Sequence, residues 1–326
     1  MIELRRFAAL AALIVMAGAK PACAAETVNV ATPSRVIFAL PFWIAEHNGY
    51  FKDEGIDATI DIVSDGREIT RRLQTGVSQF SIVGPDAVFI DAVNGGPMRV
   101  VAGIVRKPPL FLIAKPSIKT FAQLRGANIG VLSLTEGSSK LLAKMLKAEG
   151  VDAVNVTITQ VGGAPARATL LKEGKIDAGM QPVPLNYEAE ADGFNNLGWA
   201  GKYEPEWQFT TVNANGEWLK RKPEVATGFL RALVRAQQFI WSKPDESARI
   251  AADALKTLVA MAGRSLAEAV RLGILDFQLD WSATGLQRIY ENMQTDGVLP
   301  RDRPFAAGNV TDAEYLRKVQ ATAAIR

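Results

Sequence analysis

The chain has 326 residues, 48% apolar and 22% charged, which is enough for two domains of ordinary size and excludes a low-complexity or disordered class. Its formal charge is +3, but Arg5, Arg6 and Lys20 against Glu3 fall in the first 25 residues, leaving 34 basic and 33 acidic groups elsewhere. No basic stripe with interleaved aromatics occurs, so nothing points to a nucleic-acid partner.

Residues 1–25 read as a secretory signal. Arg5 and Arg6 precede the apolar run Phe7 to Ala19, Lys20-Pro21 end it, and Ala22-Cys-Ala24 offers small residues for cleavage near Ala24 or Ala25. The run is too short to span a bilayer as a stable helix. Cys23, the one cysteine, is expected to leave with the leader, because Lys20-Pro21-Ala22 is a poor lipoprotein triplet.

Val28 to Thr32 is a first strand and Pro33-Ser34-Arg35 a turn. Phe38 to Asn48 has helical spacing, with Pro41 in its first turn and Gly49 as its stop. Ala58 to Val63 is a strand, Glu68 to Thr75 a helix, and Phe80 to Val83 a strand. Gly84-Pro85-Asp86 then leads to a helix over 87–94, which Asp86 is expected to cap. Met98 to Val105 is a fourth strand. Lys107-Pro-Pro109 breaks the pattern, Leu110 to Ala114 is extended, and a crossing to a second domain falls here.

A second series follows. Ile129 to Leu132 is a strand, Ser133 to Ser139 a polar turn, and a helix then carries Leu141, Leu142, Met145 and Leu146 on one face, stopped at Gly150. Such a strand–turn–helix presents backbone N–H groups and hydroxyls suited to a small anionic or polar group, although an ordinary capped turn has the same pattern. Strands are predicted at 154–161 and 178–181, with a short one at 197–200, and helices at 164–173 and 185–191. Trp207 to Val212 is the return crossing. Helices follow at 216–221, 223–242, 245–254, 266–272, 283–295 and 311–324. The alternation calls for mainly parallel sheets covered on both faces.

Five segments carry a resemblance. They are Ala45-Glu-His-Asn-Gly-Tyr-Phe51 with Glu54-Gly-Ile56; Leu73-Gln-Thr-Gly76 before a strand and Gly84; Leu124-Arg-Gly126; Leu171-Lys-Glu-Gly-Lys-Ile-Asp-Ala178; and Glu217-Trp218 with Lys222-Pro-Glu224 and Phe229-Leu-Arg-Ala-Leu233. In this order the chain resembles the substrate-binding proteins of ABC importers in the nitrate, sulfonate, taurine and thiamine-precursor group. The resemblance implies an α/β fold of the periplasmic-binding-protein type II kind, two doubly wound lobes joined by two crossovers, with lobe 1 at 26–114 and 205–326 and lobe 2 at 115–204. It also implies a periplasmic location, capture of a small organic anion or zwitterion in the cleft, delivery to an ABC permease, a monomer, and no cofactor or metal.

Ligands in open α/β sheets lie beyond the carboxyl ends of strands. The candidates there are Ser34, Arg35 and Phe38 in the first lobe, with Gly84, Pro85 and Asp86. In the second they are Ser133, Thr135, Glu136, Gly137 and Ser138, with Gln160 and Gln181; Trp207 and Gln208 lie by the return crossing. Asp86 has an equally simple role as a helix cap, and Phe38 and Trp207 as core. Glu136 opposes a purely anionic ligand and suits one with a cationic end. Two alternatives remain: an enzyme of the pyrimidine-precursor synthase type, which shares the fold and uses a reactant histidine where this chain offers only His47, and a periplasmic receptor for a sensor kinase.

Overall fold

The computed structural model describes residues 24–134, 137–275 and 278–323. Residues 1–23 of the expected leader, Cys23 among them, lie outside them, as do Thr135 and Glu136. β1 (Glu26–Thr32) begins two residues before its expected start. The helix predicted over 38–48 is a 3-10 turn at Ile37–Ala39 running into α1 (Leu40–His47), and Gly49, at φ 74, opens a short α2 (Tyr50–Asp53) between that helix and the next strand. β2 (Ile56–Ile62), α3 (Gly66–Thr75), β3 (Phe80–Val83), α4 (Asp86–Val93) and β4 (Met98–Val105) follow. Asp86 is the first residue of α4 and not its cap; Pro85 holds the cap position.

β5 (Leu110–Ala114), β6 (Asn128–Val131), α5 (Gly137–Ala148), β7 (Thr157–Gln160), α6 (Ala164–Lys172), β8 (Ala178–Pro182), α7 (Leu185–Ala191) and β9 (Asn195–Trp199) come next. The chain returns as β10 (Thr210–Asn215). It then runs through α8 (Gly216–Arg221), α9 (Pro223–Ser242), α10 (Pro244–Leu255), α11 (Val259–Arg271), α12 (Ala283–Thr295), α13 (Ala307–Val310) and α14 (Glu314–Ala323). α11 starts seven residues before the predicted helix at 266, because its first turn, Val259-Ala-Met-Ala, lacks a capping side chain to announce it.

The strands form two five-stranded sheets, β2-β1-β3-β10-β4 and β7-β6-β8-β5-β9. They share one plan. In each, the fourth strand from the β2 or β7 edge is antiparallel to its neighbours and is supplied by the chain just after a crossing. β5 therefore belongs to the second sheet, whereas residues 110–114 were assigned to the first lobe. The sheets are nevertheless mainly parallel as expected, since the other four strands of each run in one direction. β10 was illegible because its Thr-Thr-Val-Asn-Ala-Asn sequence is buried along its whole length and does not alternate. Its polar side chains are met by the sheet: the single Thr211 hydroxyl proton is shared between Asn213 Oδ1 (2.7 Å) and the Val83 carbonyl (3.0 Å).

Helices cover both sheets. In the first unit Phe229 of α9 stacks on Phe80 (4.0 Å between centroids, 8°) and on Phe51 (5.2 Å), joining β3, α2 and α9 in one aromatic column. In the second, Asp177 ties the start of β6 to the turn before β8. It accepts from the Asn128 amide (2.8 Å) and pairs with Lys115 (2.6 Å). Burial alone would raise its pKa, but those two partners outweigh it and hold the carboxyl below its ordinary value. A depressed carboxylate stabilises the fold above its unfolded pKa of about 3.9, and that contribution fades as pH falls through the folded value. Asp177→Asn is expected to cost about 1 kcal/mol in urea unfolding at pH 7, with the gap to wild type closing in strong acid.

Candidate functional site

The parallel strands of both sheets end in loops that meet. Gly163, after β7, lies against the loop after β1: a Cβ there would sit 3.6 Å from the Pro33 carbonyl oxygen and 3.9 Å from the Ser34 Cβ. Gly137, the first residue of α5, lies under the Trp207 indole, whose nearest atom would be 3.4 Å from a Cβ. Both glycines thus mark places where segments far apart in sequence pack at ordinary contact distance. Phe38 meets Phe209 of the return crossing edge to face (5.6 Å, 71°). The Asp86 carboxylate folds back over Gly84, where an added Cβ would come within 2.8 Å of it and 3.5 Å of the Phe209 carbonyl.

The structure therefore brings Ser34, Phe38, Gly84, Asp86, Gly137 and Trp207 to the strand-end loops. Pro85, Ser34 and Ser138 are buried and Ser133 is half-buried there. Three other candidates are engaged in holding the fold. Arg35 lies 4.9 Å from the centroid of the Trp43 ring and donates to the Ala254 carbonyl (3.3 Å) at the end of α10. That is a favourable place for a cation, at a helix C-terminus. Gln208 donates to the carbonyls of Val105 (3.1 Å) and Thr210 (2.9 Å) and accepts from the Ser282 amide (2.7 Å), so it staples the return crossing to α12. Gln181, with its amide oriented to match its neighbours, donates to Ala164 O (3.3 Å) and accepts from Ala168 N (3.1 Å), bracing β8 on α6. Gln160 is exposed at the end of β7.

Two residues at these loops escaped the sequence reading. Arg167 of α6 is 4% exposed, donating through Nε to the Met180 carbonyl (2.9 Å) and through Nη1 to the Gly162 carbonyl (2.7 Å). It is a fixed guanidinium at the ends of β7 and β8, beside the Gly162-Gly163 turn that meets Ser34. Within Ala-Pro-Ala-Arg-Ala nothing separates it from a solvated helix charge. Asn186, at the start of α7, is fully buried, and neither its Oδ1 nor its Nδ2 has a hydrogen-bond partner. The amide is close enough to the Tyr187 phenol to oppose, with Arg264, the rise in its pKa that burial and Glu268 impose, but not in hydrogen-bond geometry. An unmet buried amide costs on the order of 1–3 kcal/mol, so it calls for a reason. Its position was the signal, since it follows a strand as the other candidates do. An open groove of about 770 Å³ lies elsewhere, on α13 and α14 of the first unit, lined by groups of both signs such as Asp312, Glu314, Arg317 and Lys318.

Two sheets of one plan, joined at two crossings with their strand ends face to face, define a periplasmic-binding-protein type II fold. A family model described as NMT1/THI5 like matches residues 39–247, and the chain belongs to that family. It is 25% identical to the putative binding protein YtlA of Bacillus subtilis over 242 residues, 70% of each chain. It is equally identical to the 4-amino-5-hydroxymethyl-2-methylpyrimidine phosphate synthase THI5 of Saccharomyces cerevisiae over 227 residues, 64% of each. Among solved structures, the periplasmic nitrate-binding protein NrtA from Synechocystis superposes with a TM-score of 0.78 at 13% identity, over 92% of this chain and 90% of that one. The alkanesulfonate-binding protein SsuA from Xanthomonas axonopodis, bound to MOPS, does so with a TM-score of 0.70 at 16% identity, over 90% and 99%. These show the fold of periplasmic ABC-type substrate-binding proteins. Among the described residues no helix is long and apolar enough to cross a membrane.

Proposed function

We propose that the chain is a periplasmic solute-binding protein that captures a small organic anion or zwitterion between its two lobes and delivers it to an ABC importer. Arg167 carries the reading. A guanidinium buried at the strand ends of the second lobe, held by two backbone carbonyls, is a preorganised centre for a carboxylate or sulfonate. In this reading it takes the part the sequence suggested for Arg35. Asn186 supplies a donor and an acceptor that the protein itself leaves unmet, and Phe38 and Trp207 supply apolar walls. Glu136, next to Gly137 in the sequence and outside the described residues, would pair with a cationic end of the ligand. The names of these structural neighbours agree with capture of a solute, since NrtA is called nitrate-binding and SsuA alkanesulfonate-binding.

Calorimetry against nitrate, taurine, alkanesulfonates, aromatic carboxylates and pyrimidines is expected to show one-to-one binding for one class. Its ligand should raise the melting temperature by mass action. No shift with any anion or zwitterion would overturn the reading.

The similarity to the pyrimidine phosphate synthase keeps a second reading in view. Against a histidine reactant at the site, His47, the chain's one histidine, is exposed in the last turn of α1. A His47→Gln variant that binds ligand as wild type does would separate binding from that chemistry.

A further inference from the structure

We propose that the hairpin of α10 and α11 is a latch that ties the two lobes together at a third place, beside the two crossings. Its root is in the first lobe. α10 packs on α1 and α9, and Ala248, Ala251, Ala252, Ala262, Leu266 and Ala269 are buried in the cluster that contains the α1 and α9 core. Its far side grips α7 of the second lobe. The Arg264 guanidinium lies 3.8 Å from the Tyr187 ring centroid and 3.7 Å from Glu190 Oε2. Thr257, in the turn between the two helices, donates to Glu188 Oε1 (2.8 Å). Tyr187 and Ala189, 5% and 4% exposed, enter the same buried apolar cluster as the hairpin.

The turn itself is built for a fixed geometry. Lys256 stands at φ 56, ψ 47, a left-handed conformation that disfavours a residue with a Cβ, and it places Thr257 against Glu188. The ion pair alone is weak, since the Arg264 side chain is 57% exposed. The stacked cation on a buried phenol and the apolar contact beneath it are the holding elements. Rotation of one lobe about the crossings has to break these contacts or carry the hairpin with it, so the hairpin sets how readily the lobes part.

The test uses the full chain without ligand. Arg264→Ala is expected to make the amides of 185–191 exchange roughly tenfold faster, and to enlarge the particle in small-angle X-ray scattering. Glu190→Gln, which removes the ion pair and spares the stack, is expected to leave both near wild type. Unchanged exchange at 185–191 overturns the latch. So does faster exchange with an unchanged scattering profile, which would mean a local contact only. If Arg264→Ala does not fold, Thr257→Val supplies the same comparison through the Glu188 contact.

Discussion

Arg167→Met is expected to remove binding of an anionic ligand, with affinity falling at least about 100-fold, the loss expected for a charge-assisted pair in a buried site. The same change leaves the Met180 and Gly162 carbonyls without their donor, so the ligand-free protein should lose about 1–3 kcal/mol in urea unfolding. Arg167→Lys separates the two effects. A lysine restores the charge but cannot reproduce a planar fork donating to two carbonyls at once. Partial recovery of affinity with little recovery of stability would place the charge on the ligand. Wild-type affinity in the methionine variant would remove Arg167 from the site. The expected effect is insensitive to moderate salt, because a guanidinium so little exposed is poorly screened.

The second large effect belongs to Trp207. Its indole is 2% exposed, covers Gly137 and carries the Lys144 ammonium 5.4 Å from its ring centroid, and Lys144 in turn pairs with Glu204. Trp207→Ala leaves a cavity where the return crossing meets the first turn of α5. The expected cost is about 3–5 kcal/mol, measured by urea unfolding. Because α5 begins on Gly137, its first turn with Ser138 loses its support, and ligand affinity should fall with stability. Trp207→Phe keeps most of the buried area and is expected to recover most of both. Loss of affinity with unchanged stability would make Trp207 a wall of the site only, and not also a prop for α5.

The candidate residues divide by a physical rule. Of those chosen at a strand end, Ser34 and Gly84 lie in the loops after β1 and β3, and Gly137 opens α5. Those chosen for a polar side chain near a strand end, Gln181 and Gln208, turned to carbonyls and amides that the sequence could not place beside them. An amide satisfied by backbone from distant segments looks, in a sequence, the same as one waiting for a ligand. Arg167 and Asn186 show the converse. Both lie within predicted helices with no local side-chain signal to single them out, and burial marks one as a fixed charge and the other as unmet.

The sequence by itself determined the local order of this protein. Glycines at helix ends, apolar spacing and the alternation of strand with helix are short-range constraints on backbone and solvation, and they are written within a few residues of one another. Only the tertiary structure decided that residues 110–114 and 210–215 cross into the sheets as their antiparallel strands, and that Arg35 meets Trp43 and the Ala254 carbonyl. Strand pairing and side-chain partnership depend on which distant groups arrive alongside. A fully buried strand without alternation, or an arginine among alanines, carries no local trace of that.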